Sequence, residues 1–142
     1  MKKLLKFFVK ALFVSSILIF LLSNVALADD NTINMVVSPN VLNIESNGGS
    51  ISVHTDIAYS GVEGASLEVN GTTIVNIETF ADNCGNLVVK CSIGTVKSIV
   101  VGPDGIVVGK EEAEFILKAN YNGSMYSGSD TITVIQVIPN EE

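Results

Sequence analysis

The sequence has no tryptophan and no arginine, one histidine and two cysteines. Without tryptophan, and with Cys84 and Cys91 close together in the chain, the Cys-Trp-Cys framework of antibody domains is excluded. A zinc site usually needs three or four nitrogen or sulfur ligands, and His54, Cys84 and Cys91 are all the chain owns, so none is expected. His54 also lacks a Gly-x-Ser-x-Gly elbow to serve, so no Ser-His-Asp arrangement is legible. Long apolar stretches with a 3.6-residue repeat are missing too, which excludes a helical bundle. Acids are plentiful, but Glu68, Glu78 and Glu114 fall on the polar sides of strand patterns, where solvated charges belong. No catalytic residue, cofactor or metal ligand is expected, and a small hydrolase is the least supported reading.

What the N-terminus has in abundance is lysine followed by apolar residues. Lys2, Lys3, Lys6 and Lys10 precede the run Ala11 to Leu22, then Ala26-Leu27-Ala28 and Asp29-Asp30. This is the order of a secretion signal, with small residues at Ala26 and Ala28 fitting a peptidase pocket and cleavage expected after Ala28. The apolar run is shorter than the roughly 20 residues of a membrane span, and Ser15, Ser16 and Ser23 dilute it. The C-terminal Ile138-Pro139-Asn140-Glu141-Glu142 offers no second apolar segment. The expected location is secreted, periplasmic or cell surface, with no membrane attachment after cleavage.

Cleavage leaves residues 29–142, a length typical of one domain. Four lysines then face fifteen acids, a net charge of −11. That balance excludes nucleic acid and anionic membrane surfaces as partners. It favours solubility and mutual repulsion and specifies no ligand.

Periodicity organises this portion into strands. Asn34 to Val37 is short and apolar and stops at Ser38-Pro39, while Val41 to Glu45 ends at Asn47-Gly48-Gly49. Ile51, Val53, Thr55 and Ile57 alternate with Ser52, His54 and Asp56, which places His54 on the polar face. Ser66 to Val69 and Thr72 to Ile77 flank Asn70-Gly71, a pair suited to the positive φ of a tight hairpin. Leu87, Val89 and Cys91 share a face. Ile99 to Val101 and Ile106 to Val108 surround Gly102-Pro103-Asp104-Gly105, a turn sequence that predicts another hairpin, although Ser92 to Ile99 also suits a helical turn. Phe115, Leu117 and Ala119 form an apolar face before Tyr121-Asn122-Gly123 turns the chain toward Thr131 to Ile138. Short, evenly spaced strands of this kind predict an all-β, antiparallel two-sheet sandwich.

The segments VSPNVLNIESNGG, SISVHTDI, ASLEVNGTTI, NLVVK and ILKANYNGSMYSGSDTITVI resemble an immunoglobulin-like module of secreted and surface proteins in bacteria and archaea. The resemblance covers Met35 to Ile135 and is most specific at Gly128-Ser129-Asp130-Thr131-Ile132 with Val134-Ile135. It implies an immunoglobulin-like antiparallel β-sandwich and a structural, spacer or adhesive role, with an unknown protein or glycan of the cell envelope as partner. Such modules often carry an aspartate-rich loop before the strand at NLVVK, where alternating carboxylates converge on calcium. Here that stretch reads Ala81-Asp82-Asn83-Cys84-Gly85-Asn86, with one carboxylate, so turn formation is expected in place of a calcium site.

Carbohydrate binding is the strongest alternative function. Beyond residue 28 the aromatics are Tyr59, Phe80, Phe115, Tyr121 and Tyr126. Tyr121 and Tyr126 flank one turn, where they either contact a ligand or pin the hairpin as a cross-strand pair, and the pin is favoured. Asn70 and Asn122 each begin an N-glycosylation sequon in a surface turn, yet Asn-Gly also suits such turns for backbone reasons. For Cys84 and Cys91, export favours a disulfide. If Asn86 to Cys91 is fully extended, the Cα atoms come no closer than about 9 Å, beyond the roughly 7 Å a disulfide tolerates, whereas a sharp reversal at Gly85-Asn86 would close the bond. Compartment and pairing count tip the expectation to a structural disulfide.

Overall fold

The computed structural model describes residues 31–102 and 111–137. The chain divides into two units, Met1–Asp30 and Asn31–Glu142, and every described residue belongs to the second. The expected signal, the cleavage site and the Pro103-Asp104-Gly105 turn with Ile106 to Val108 lie outside the described residues.

Among the described residues nine strands build two sheets. In chain order they are β1 (Met35–Ser38), β2 (Val41–Asn43), β3 (Ser50–Ala58), β4 (Val62–Val69), β5 (Thr72–Thr73), β6 (Glu78–Ala81), β7 (Asn86–Ser92), β8 (Glu112–Tyr121) and β9 (Ser124–Ile135). A 3₁₀ turn, Tyr59–Gly61, links β3 to β4, and one helix, α1 (Ile93–Val100), follows β7. The four-stranded sheet runs β1-β3-β7-β6 and the five-stranded sheet β2-β9-β8-β4-β5. Alternation sets the faces as the sequence pattern demands: Ile51 and Val53 from β3, Leu67 from β4, Phe115 and Leu117 from β8 and Ile132 from β9 all turn into one core.

Both Asn-Gly hairpins form. Asn70 and Gly71 have φ of 48° and 79°, and Asn122 and Gly123 have 50° and 79°, so each pair occupies the left-handed region that a tight two-residue turn requires. Asn70 is held further: its side-chain oxygen accepts from the Glu114 amide at 2.9 Å.

Four elements depart from the periodicity. The sheets are not wholly antiparallel, since β2 pairs parallel with β9. The chain leaves β1 at Ser38-Pro39 and joins the other sheet without reversing, and Pro39 has no N–H with which to continue the β1 ladder. The expected strand Thr72 to Ile77 pairs only at Thr72–Thr73. It then crosses between sheets, plugging Ile74 into the core and leaving Val75 88% exposed, before starting β6, a strand with all four residues exposed and hence no alternation to read. The strand expected at Ile99 to Val101 is displaced by α1, because Ile93, Val96 and Val100 recur at helical spacing on a buried face and the Ser92 hydroxyl caps the first turn by accepting from the Gly94 amide. Finally, β9 begins at Ser124, well before Thr131, because the two-residue turn starts its pairing with β8 at once.

The segment Gly128-Ser129-Asp130, the most specific part of the resemblance, has a structural task. A Cβ at Gly128 would stand 2.2 Å from the carbonyl oxygen of Ile33, so only glycine lets the N-terminal segment cross β9 this closely. There Ile33 N–H donates to Ser127 O at 2.8 Å, and Ser127 N–H donates to Asn31 O at 3.0 Å. Two residues on, one Asp130 carboxylate oxygen accepts from the Val37 amide of β1 at 2.8 Å and the other from the Thr131 amide at 2.9 Å. Asp130 thereby joins an edge strand of one sheet to the other sheet.

Candidate functional site

Tyr121 and Tyr126 stand edge-to-face, centroids 5.4 Å apart at 86°, and both are half-buried against the core. Diagonal neighbours on β8 and β9, they close the end of the sandwich as a cross-strand pin, and the Tyr121 ring lies over Gly61, where a Cβ would collide with it. Asn70 and Asn122 are exposed at their turns.

Cys84 and Cys91 are both free, which corrects the expected disulfide. The strand β7 begins at Asn86 and is extended all the way to Ser92, so Cys91 points into the core some five residues up the sheet while Cys84 stays exposed in the turn below it. That turn is closed differently. One Asp82 carboxylate oxygen accepts from the amides of both Cys84 and Asn86, at 2.8 and 2.9 Å, and the chain has no need of a covalent tie there. Burial pushes the Cys91 thiol up to about 11, which keeps it protonated and unreactive. A mass-tagged thiol reagent at pH 8 should therefore label the folded protein once, at Cys84, and the denatured, unreduced protein twice. No label on the denatured protein would show that the bond exists.

Sequence reading missed the outer face of the four-stranded sheet. Register aligns Val36 with His54, His54 with Val88 and Val88 with Phe80, so one row of mainly apolar side chains crosses all four strands on the side away from the core. Val88 is only 1% exposed although Leu87 and Val89, its neighbours in sequence, face the opposite way into the core. In the same row Val36 is 64% and Phe80 42% exposed. The next row is polar: Ser38, Ser52, Lys90 and Glu78. Beside it opens a groove of about 430 Å³, lined by Val75, Ile77 and Glu78 from the crossing segment and β6, and by Ser50, Lys90 and Ser92 from β3 and β7. The signal that could have exposed this face is Leu87-Val88-Val89, since three successive apolar residues in a strand require cover on both faces.

These features define a two-sheet β-sandwich with one broad, partly apolar sheet face open to solvent. Among the described residues no group of three or more His, Cys, Asp and Glu is placed to hold a metal ion, and no helix is long and apolar enough to cross a membrane. No family model matches the chain, and no curated protein does. Among solved structures it is similar to the endo-beta-1,4-mannanase from Thermotoga petrophila, at 15% sequence identity and a TM-score of 0.43. That similarity covers 68% of this chain and 17% of the mannanase chain.

Proposed function

We propose that this chain is an exported, non-catalytic, immunoglobulin-like module that binds a partner of the cell envelope or extracellular space through the outer face of its four-stranded sheet. The observation that carries the binding role is the row Val36, His54, Val88 and Phe80, which leaves large apolar side chains in water on a flat sheet face next to an open groove. The immunoglobulin-like reading is supported by strand order. Taken as A, B, E and D, strands β1, β3, β7 and β6 follow the order of one immunoglobulin sheet, and β4, β8 and β9 follow C, F and G of the other, with β5 as C′. On this assignment the helix lies between E and F.

The test starts with protein recovered from the exported fraction, whose chain should begin at Asp29; Met1-containing protein in the membrane would overturn the export reading. Retention on immobilised envelope material is then compared among variants. Phe80→Asp and Val36→Asp should each reduce retention about tenfold or more while melting like the parent, because both side chains are exposed in the free protein. Tyr126→Ala, at the closed end of the sandwich, should leave retention unchanged. Equal retention by the Phe80 and Val36 variants would remove this face as the binding surface.

A further inference from the structure

Glu78 and Lys90 face each other across β6 and β7 in direct register at the groove, yet neither side chain has a hydrogen bond or ion-pair partner among the described residues. The ion pair formed among those residues is Lys118 with Glu68, on the other sheet. A carboxylate and an ammonium therefore stand side by side, both free to meet a ligand. Together they carry no net charge, so an anion attracted by Lys90 is repelled by Glu78, and a cation the reverse. Either a zwitterion or an uncharged ligand rich in hydroxyls satisfies both, and the apolar wall and exposed ring beside them favour the second: a carboxylate accepts from two neighbouring O–H groups, and an ammonium donates to hydroxyl or ring oxygens. Ser50, Asn76 and Ser92 add further donors and acceptors around the same groove, while Val75 and Ile77 supply apolar wall.

Phe80 completes the set. It lies two residues beyond Glu78 on the same face of β6, about 6.6 Å along the strand, with its ring partly open to water. An exposed aromatic ring offers its face to the C–H side of a pyranose. The groove volume of about 430 Å³ lies within the range of small-ligand sites, about 300–1,000 Å³.

From this geometry we infer that the groove formed by Glu78, Lys90, Val75 and Ile77 is a carbohydrate subsite for a short stretch of neutral glycan whose next sugar rests on Phe80. The inference rests on reading the outer sheet face as the binding surface, and names its ligand class. Open to solvent, its charged groups contribute modestly, and the expected dissociation constant is on the order of 0.1–1 mM.

The experiment is an amide-shift titration of the purified, ¹⁵N-labelled protein by NMR with cellotriose, mannotriose and the trimer of N-acetylglucosamine. Glycylglycine and inorganic phosphate serve as zwitterionic and anionic probes. At least one trisaccharide should shift the amides of Ile77, Glu78, Lys90 and Ser92 saturably. Glu78→Gln and Phe80→Ala should each weaken that binding about tenfold, and Glu114→Gln, an exposed carboxylate on the other sheet, should not. Silence from all three trisaccharides at about 20 mM overturns the inference, as does binding of glycylglycine or phosphate alone, or trisaccharide binding indifferent to Glu78→Gln. Should the trisaccharides fail while envelope retention still depends on Phe80, the glycan class is wrong and the binding face stands. If retention is indifferent to Phe80 as well, both fail.

Discussion

Leu117→Asp should leave the protein unfolded at room temperature. Leu117 is fully buried in the middle of the five-stranded sheet, in register with Leu67 on one side and Gly128 on the other. A carboxylate there has no cation to pair with and costs several kcal/mol, either as a buried charge or as a protonated acid without its hydrogen bonds. Total stability of a domain this size is about 5–15 kcal/mol, so the loss consumes most of it. Ile132→Asp, equally buried on β9, should behave the same. Leu117→Ala provides the scale: it removes packing without adding charge and should cost about 2–5 kcal/mol while still melting cooperatively. Circular dichroism with urea denaturation reads all three. A Leu117→Asp protein that melts with the parent would mean that the strand faces are assigned the wrong way round.

Gly128→Ala is the second large effect, and one methyl group causes it. The new Cβ would lie 2.2 Å from Ile33 O and 3.1 Å from the Ile33 carbonyl carbon, both backbone atoms that no rotamer change can move aside. The N-terminal segment must lift from β9, loosening the Ile33–Ser127 and Ser127–Asn31 bonds. The expected cost is about 1–3 kcal/mol, the usual range for an overpacked site, with the larger end favoured because hydrogen bonds are lost too. Gly64→Ala is the matched control. Gly64 lies in β4 with open space where a Cβ would go, so alanine there should be neutral or stabilising by about 0.5 kcal/mol. If both variants shifted the urea midpoint equally, the close crossing at Gly128 would be refuted.

Neighbouring stretches of the chain differ in how legible they are. The alternation in Ser50–Ala58 and Glu112–Tyr121 put the inward residues on the page, because a strand between core and water must change side-chain character at every step. The Asn-Gly turns were equally plain, since positive φ is a property of one or two residues. By contrast β6 has four exposed residues and no pattern, and α1 is a single amphipathic stretch of eight residues, short enough that Ile99 and Val100 read equally well as a strand. The cysteines turned on a boundary. Starting β7 at Asn86 separates them, whereas a reversal at Gly85-Asn86 would have joined them, and the Asp82 carboxylate, bonding two amides, settles the turn without a disulfide.

The sequence by itself determined an all-β chain, the inward-facing residues of its main strands and its two tight turns. Each of these follows from interactions within a few residues: alternation against a core, or the steric freedom of glycine and asparagine. Which strands are neighbours was decided only by the tertiary structure. The row from Val36 through His54 and Val88 to Phe80 joins residues up to 52 positions apart, and Glu78 meets Lys90 only because β6 and β7 pair. The same holds for the crossing of Ile33 over Gly128. Pairings of this range depend on how two sheets close over one core, and a local pattern carries no record of that closure.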